Sequence, residues 1–445
     1  MVESAGVIAT ANDGSGDWIC SAAGPWRGEL TVPGDKSVSH RALMLAALAD
    51  GTSSIVGFLD SGDTRATATI LGSLGVRIEA PSAQRRIVHG VGLRGLRPAQ
   101  AALDCGNAGT AMRLLCGLLA GQGFDSVLTG DASLSRRPMR RVADPLAAMG
   151  ARIDSEDGHA PLRIAGGQPL RGVRHRLAVA SAQVKSALLL AGLYADGSTE
   201  VIEPRPTRDY TERMLAAFGY AIDFEPGRAR LHGGGRLQAT DIVVPADFSS
   251  AAFFVVAACI VPGSQLCLRG VGLNPRRTGL LEALRLMGAD ITVENAGERG
   301  GELVGDLVVR HRPLHGVEIP AALVSDMIDE FPALFVAAAA ADGRITVSGA
   351  AELRVKESDR IAAMAAGLRA LGCSIEEQPD GAVIEGRGGT FAGGHVDSHG
   401  DHRVAMAFAV AGAHAAAPVR VCDCAPVATS FPNFAALANA CVGLD

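Results

Sequence analysis

Two fixed cations and two hydroxyls crowd one short stretch, GDKSVSHRALMLAALADG, Gly34 to Gly51. Lys36, Ser37, Ser39, His40 and Arg41 lead into Ala42–Ala49, which is almost entirely apolar and reads as a helix buried on most faces. The N–H groups that open such a helix already favour anions. Ser37 and Arg41 stand four apart and share a helix face, with Lys36 just ahead. An N-capping serine plus a surface ion pair is the ordinary reading of that stretch taken alone. Further openers argue for an anion site. CGNAGTAMR sets Asn107, Gly109 and Thr110 at another helix start, where glycine lets a ligand approach the backbone. SAQVKS adds Ser181 and Gln183 as neutral donors. LSRRPMRRV concentrates Arg136, Arg137, Arg140 and Arg141 on what reads as one helical stretch. Four guanidinium groups so placed cannot all face one small cleft, but one or two can clamp a carboxylate or phosphate.

Carboxylates enter in the later half. DMIDEFP supplies Asp326, Asp329 and Glu330; LRVKESDRI supplies Lys356, Glu357, Asp359 and Arg360; GDHRVAM supplies Asp401, His402 and Arg403. Each alone is most often a solvated helix start. Carboxylates among cations serve as base and acid when their surroundings separate their pKa values. The chain lacks a phosphate loop of the G-x-x-x-x-G-K-[ST] type, a G-x-G-x-x-G that opens a helix, an H-E-x-x-H pair and a G-x-S-x-G elbow. The pattern left is a site for small, multiply charged anions worked by a few carboxylates, without a metal.

Composition sets the frame. The chain has 445 residues, 48% hydrophobic but only 4% aromatic, so two domains with Ala, Leu and Val cores are expected. A formal charge of −6 argues against nucleic acid or an anionic membrane as partner, so any anion site is local. Nine dispersed cysteines fit reduced thiols in a cytoplasmic protein; Cys422 and Cys424 are too close for the usual zinc spacing. The opening MVESAGVIATANDGSGDW does not resemble a signal peptide and reads as a loose extension. Ala251–Val261, the most apolar run, is too short to span a bilayer.

The elements that must position these residues form a loose repeat of roughly 70 residues. Six times a polar opener runs into an apolar helix, followed by a β-like run and usually a second, amphipathic helix. The openers are GDKSVSHRAL, CGNAGTAMRL, SAQVKSALLL, DFSSAAFFVV, DMIDEFPALF and GDHRVAMAFA. The second helices end on glycine before a short strand at LGVRIE, MGARID, FGYAID, MGADIT and LGCSIE; the sixth copy runs out near ACVGLD. Three units per domain are expected, with the apolar helices inside and the amphipathic ones outside.

Together PGDKSVSHRAL, GNAGTAMR, LTGDASLSRRPM, SAQVKSALLLAGL, TRDYTERM, MIDEFPAL, LRVKESDR and GDHRVAMAF resemble the 5-enolpyruvylshikimate-3-phosphate (EPSP) synthase family, in order from about Gly34 to Phe434. SAQVKSALLLAGL looks like the bacterial class II subgroup. The resemblance implies an inside-out α/β barrel of two domains, each of three βαβαββ units. One lobe would comprise 1–33 plus 247–445, with a leading extension to about residue 25, and the other 34–246. The crossovers would fall near Pro33-Gly34 and Ala246-Asp247, with the active site in a cleft that closes on substrate. The implied reaction moves an enolpyruvyl group from phosphoenolpyruvate to the 5-hydroxyl of shikimate 3-phosphate, releasing phosphate, in a cytoplasmic monomer without cofactor.

Carried over by motif, Lys36, Ser37, Arg41, Ser181, Gln183 and Arg208 are expected to hold shikimate 3-phosphate, with Asp329 and Lys356 beside its hydroxyl. Lys36, Gly109, Arg137, Gln183, Arg360 and Arg403 are expected to hold phosphoenolpyruvate. Asp329, Glu357 and Lys36 are the expected catalytic groups: Asp329 takes the hydroxyl proton, Glu357 handles the methylene proton, and Lys36 lies between the substrates. Three departures bear on this. Ala182 stands where many relatives have a second serine, Thr429 where many have lysine, and Gly109 where some of the subgroup have alanine. The sister family that acts on UDP-N-acetylglucosamine usually carries a reactive cysteine in the loop corresponding to Leu128–Met139; LTGDASLSRRPM has none. A non-catalytic anion binder on the same scaffold is the other alternative, and the trio Asp329, Lys356 and Glu357 argues against it.

Overall fold

The computed structural model describes residues 6–11 and 14–442. The chain divides into two compact units. Gly34–Pro245 with Glu298–Glu302 form an inserted unit; Met1–Pro33, Ala246–Gly297 and Leu303–Asp445 form a flanking unit. The buried hydrophobic clusters follow this division, one drawing on residues 38–244 and the other on 7–32 and 246–442.

Each polar opener does lead into an interior helix. Lys36–Leu48, Gly109–Ala120 and Ala182–Gly192 serve the inserted unit; Phe248–Ile260, Phe331–Ala340 and His402–Gly412 serve the flanking one. Beyond their first turns their side chains are almost all buried, as segments apolar on every face require. Small residues let them touch closely. A Cβ on Gly117 would lie 1.9 Å from the Ala187 carbonyl oxygen, so Gly109–Ala120 and Ala182–Gly192 meet backbone to backbone.

The amphipathic helices end as their glycines suggest. Gly75, Gly150, Gly219, Gly288 and Gly372 all have positive φ, and the next residue's N–H reaches back to a carbonyl five residues earlier, as in Val76 N to Leu71 O at 3.0 Å. One helical expectation fails: LSRRPMRRV is not a single stretch. A short turn of helix, Ala132–Ser135, stops before Pro138, and a new helix runs Arg140–Ala148. Proline disfavours a helical residue before it and lacks an N–H to continue the ladder.

The strands repeat one order. Leu103–Asp104 runs parallel to Ser126–Thr129, which pairs antiparallel with His159–Ala165, itself antiparallel to Arg152–Glu156. Arg174–Arg176, Ser198–Ile202, Arg228–His232 and Ile222–Glu225 repeat it. Each of these parallel pairs needs a crossover, and the buried helix between its two strands is that crossover. The remaining sheet of the inserted unit joins its two ends: Ile242–Val243 lies parallel to Asp50–Val56. In the flanking unit one sheet has three strands, Asp342–Val347, Gly381–Arg387 and Ser374–Gln378; its first-strand place is reduced to bridges at His315–Asp342 and Glu318–Thr346.

The sixth copy runs out after the helix Phe434–Ala440, the last element among the described residues, and its missing strands come from the leading residues, which are not a loose extension where they are described. Gly394–Asp397 runs parallel to Val419–Cys422, and the sheet is completed by the hairpin Ile8–Thr10 and Trp18–Cys20. Val7, Ile8 and Cys20 are buried there. Asn439 accepts from Ile8 N at 2.9 Å and donates to Ile8 O at 2.8 Å, while Arg420 Nε donates to Asp17 at 2.9 Å. Residues 1–5, 12 and 13 of the expected extension, and 443–445, lie outside the described residues.

Candidate functional site

In the inserted unit, candidate residues gather at the starts of the three interior helices. Asp35, not Ser37, caps the first: its Oδ1 accepts from Val38 N at 2.9 Å. Lys36 Nζ lies 2.9 Å from Asp63 Oδ2. Arg41 is buried and held on three sides, by Thr211 Oγ1 at 2.7 Å, Ser186 Oγ at 2.8 Å and the Ser37 carbonyl at 2.9 Å. Burial, then the nearby Arg208, pushes its pKa down to about 10, which leaves it charged at neutral pH. His40 donates or accepts at Thr67 over 2.7 Å; burial, then Lys36 and Arg41, push it down to about 3, so it is neutral. Lys185 is locked between Glu203 and Glu212, 2.8 Å from each, and acts as a buried tie rather than an open cation.

A second knot lies at the next two helix starts. Gln183 accepts from Arg113 Nη1 at 2.6 Å and donates to Thr110 Oγ1 at 3.0 Å. Arg137, buried, donates to Asn107 Oδ1 at 2.6 Å. Gly109 packs under these guanidinium groups: a Cβ there would lie 2.9 Å from Arg137 Nη1 and 3.4 Å from Arg113 Nη1. Ser181 caps its own helix, accepting from Val184 N at 3.4 Å. Lys36, Arg41, Arg113, Arg137 and Arg208 thus sit near helix N-termini, a combination suited to phosphate and carboxylate.

The flanking unit builds a different centre. Asp329 Oδ2 accepts from Arg277 Nη1 at 2.7 Å; its Oδ1 lies 3.8 Å from Lys356 Nζ and 3.7 Å from Arg360 Nη1; its carbonyl accepts from Arg403 Nη1 at 2.9 Å. Arg360 is fully buried, with Nη2 2.7 Å from Glu357 Oε2 and Nε 2.8 Å from Asp401 Oδ2. Its Nη1 is buried without a hydrogen bond, a donor that an incoming anion would satisfy. Burial pushes Lys356 below the ordinary lysine value despite the neighbouring Asp329, which eases proton exchange there. Asp401 caps the helix His402–Gly412 through Arg403 N at 2.9 Å.

Of the residues expected from sequence, Lys36, Ser37, Arg41, Gly109, Arg137, Ser181, Gln183 and Arg208 belong to the inserted unit's cationic end. Asp329, Lys356, Glu357, Arg360 and Arg403 belong to the flanking unit's cluster of carboxylates and cations. Thr429, at the expected lysine place, gives its hydroxyl to Pro426 O at 2.7 Å and closes its own turn. Sequence reasoning missed Arg113 and Arg277. Arg113 stood four residues after Gly109 in a stretch already singled out; Arg277, in NPRRTG, carried no spacing signal toward Asp329. Among the described residues no group of three or more His, Cys, Asp or Glu is placed to hold a metal ion, and no helix is long and apolar enough to cross a membrane.

Comparison with known proteins gives concordant matches. The family model described as EPSP synthase (3-phosphoshikimate 1-carboxyvinyltransferase) matches residues 21–437. A 3-phosphoshikimate 1-carboxyvinyltransferase of Xanthomonas campestris pv. campestris (strain B100) is 69% identical over 423 residues, 95% of this chain and 96% of that protein. One of Xanthomonas axonopodis pv. citri (strain 306) is 68% identical over the same shares. A solved EPSP synthase from Acinetobacter baumannii superposes with a TM-score of 0.86 at 50% identity, covering 96% of this chain and 98% of that one.

Proposed function

This chain belongs to the EPSP synthase family, and we propose that its two clusters share out that family's reaction, the transfer of a carboxyvinyl group from phosphoenolpyruvate to the 5-hydroxyl of shikimate 3-phosphate with release of phosphate. Lys36, Ser37, Arg41, Ser181, Gln183 and Arg208 hold shikimate 3-phosphate. Gly109, Arg137, Arg360 and Arg403 hold phosphoenolpyruvate, with Lys36 and Gln183 serving both. Asp329 takes the hydroxyl proton as the freed electron pair forms the new C–O bond to the enol carbon. Glu357 delivers a proton to the methylene carbon in the same addition. In the elimination that follows, that carbon returns a proton and the C–O bond to phosphate breaks. Lys356 balances the charge on Asp329.

The observation that carries this reading is Asp329 itself, a carboxylate with Arg277 at 2.7 Å, Arg360 at 3.7 Å and Lys356 at 3.8 Å, one step from Glu357 through Arg360. Fixed cations there stabilise developing charge with little reorganisation. An anion that engages Arg360 competes with Glu357 for the same guanidinium, 2.7 Å from Glu357 Oε2. The reading extends to a cytoplasmic monomer of the bacterial class II type, for which the SAQVKSALLLAGL wording is the support. Phosphate release with shikimate 3-phosphate plus phosphoenolpyruvate, run beside UDP-N-acetylglucosamine as acceptor, tests the acceptor. Asp329→Ala and Glu357→Ala are expected to lower kcat by about a thousandfold, with substrate affinity changed far less. Equal loss of affinity and rate would mean the roles are misassigned.

A further inference from the structure

Arg277 lies just ahead of the helix Gly279–Leu286, and it is buried. A buried guanidinium is retained only where partners meet its charge. Its Nη2 donates to Ser249 Oγ, and it lies 3.8 Å from Asp247 Oδ1. Both partners are fixed by the start of the interior helix Phe248–Ile260, where Asp247 accepts from Ser249 N at 3.1 Å and from Ser250 Oγ at 2.9 Å. Ser249 in turn donates to Glu330 Oε1, closing a chain from Arg277 to the cap of the helix Phe331–Ala340. One edge of the guanidinium is thereby clamped to two helix starts. The other edge presents Nη1 to Asp329 Oδ2 at 2.7 Å.

We propose that Arg277 is a positioning residue for the reaction: by holding Oδ2 of Asp329 it fixes the orientation of the carboxylate that takes the acceptor hydroxyl's proton. This deepens the reading above and rests on it. Arg360 and Lys356 approach the opposite oxygen, Oδ1, at 3.7 and 3.8 Å, so cations flank both sides of the carboxylate. Arg403 engages the Asp329 main-chain carbonyl instead, at 2.9 Å. The competitor for Arg277 is Glu330, 3.8 Å away, and burial raises that carboxyl above its ordinary value, which weakens its claim on the cation. In the addition step the hydroxyl O–H breaks, its proton goes to Asp329, its electron pair forms the bond to the enol carbon, and the C=C π pair takes up the proton from Glu357 at the methylene carbon. A carboxylate anchored through one oxygen performs that step without first choosing a rotamer.

The test uses the full-length enzyme and phosphate-release kinetics from pH 5 to 9. Arg277→Gln removes the charge and the fork; kcat is expected to fall about 30-fold to 100-fold, KM for each substrate to stay within about threefold, and the acid limb of kcat to move upward by about one pH unit. Arg277→Lys restores a cation and is expected to recover roughly tenfold of the loss. A role confined to folding would instead lower active-enzyme concentration and leave the pH limb in place; that result overturns the inference. Should Arg277→Gln fail to fold, Ser249→Ala decides, since it loosens the clamp but keeps the cation: a several-fold fall in kcat with unchanged KM supports the inference, and wild-type kcat sinks it. Asp329→Asn separates the two claims. If it keeps wild-type turnover, the catalytic reading fails; if it is inactive while Arg277→Gln is normal, only the positioning role fails.

Discussion

At the scale of single residues, a missing methyl and a buried ion pair set what the site tolerates. Gly109 lies so close to Arg137 and Arg113 that a side chain there must displace a guanidinium, its Cβ being 2.9 Å from Arg137 Nη1. Gly109→Ala is therefore expected to raise KM for phosphoenolpyruvate several-fold and to weaken inhibition by phosphonate mimics such as glyphosate by at least about tenfold. Inhibition constants unchanged by the substitution would refute the crowding argument. Asp401 is the second case. Burial is the strongest single influence and raises its carboxyl, but the charge and hydrogen bond of Arg360 together with His402 hold it below the ordinary carboxylate value. A group depressed on folding stabilises above its unfolded pKa, about 4, and loses that contribution as pH falls below it. Asp401→Asn leaves buried Arg360 with Glu357 as its one carboxylate within 3 Å and is expected to lower Tm by roughly 10 °C at pH 7, with the gap to wild type narrowing below about pH 4. A gap constant with pH would mean the pair contributes nothing through its charge. The openers were legible because polar and charged residues before an all-apolar helix need a reason to be there. Arg277 was not legible: it sits 52 residues from Asp329, on a segment whose course no periodicity reveals.

Among elements, the informative contact is the one between Gly109–Ala120 and Ala182–Gly192, whose starts carry Gly109 and Gln183. The pair closes at Gly117, where an added Cβ would meet Ala187 O at 1.9 Å and the Ala187 carbonyl carbon at 2.6 Å. Backbone cannot swing aside as a side chain does, so Gly117→Ala forces the helices apart. The expected cost is about 2–3 kcal/mol, seen as a lower midpoint in urea, together with weaker phosphoenolpyruvate binding because Arg113 Nη1 and Gln183 lose their 2.6 Å register. An unchanged midpoint would show that the helices slide freely. The interior helices were readable because burial on every face leaves a composition free of charge after the opener. The leading hairpin was not readable. Its sheet partner Val419–Cys422 lies about four hundred residues further on, as the Asp17–Arg420 bond at a separation of 403 shows, and short strands such as Trp18–Cys20 have no room for an alternation signal.

For the molecule as a whole, the path of the chain makes the two units unequal in independence. The flanking unit needs both its early and its late residues, because one of its three sheets joins residues 8–20 to residues 394–422. The inserted unit is continuous apart from Glu298–Glu302, and its own ends are tied: Asp35 N donates to Pro245 O at 2.8 Å, and Val243 pairs with Val56. Its three sheets and its buried cluster, residues 38–244, draw nothing from outside. Residues 34–245 expressed alone are therefore expected to fold, with near-native helix content and a cooperative thermal transition. Lys36, Arg41, Gln183 and Arg208 all lie within that piece, so it is expected to bind shikimate 3-phosphate in calorimetry, about tenfold or more weakly than the whole chain. It should release no phosphate from phosphoenolpyruvate, since Asp329 and Glu357 are missing. A soluble fragment that melts without cooperativity would show that the inserted unit borrows its stability from the flanking one. A folded fragment that ignores shikimate 3-phosphate would instead leave the architecture standing and move the acceptor's anchoring away from the helix starts at Lys36 and Ser181.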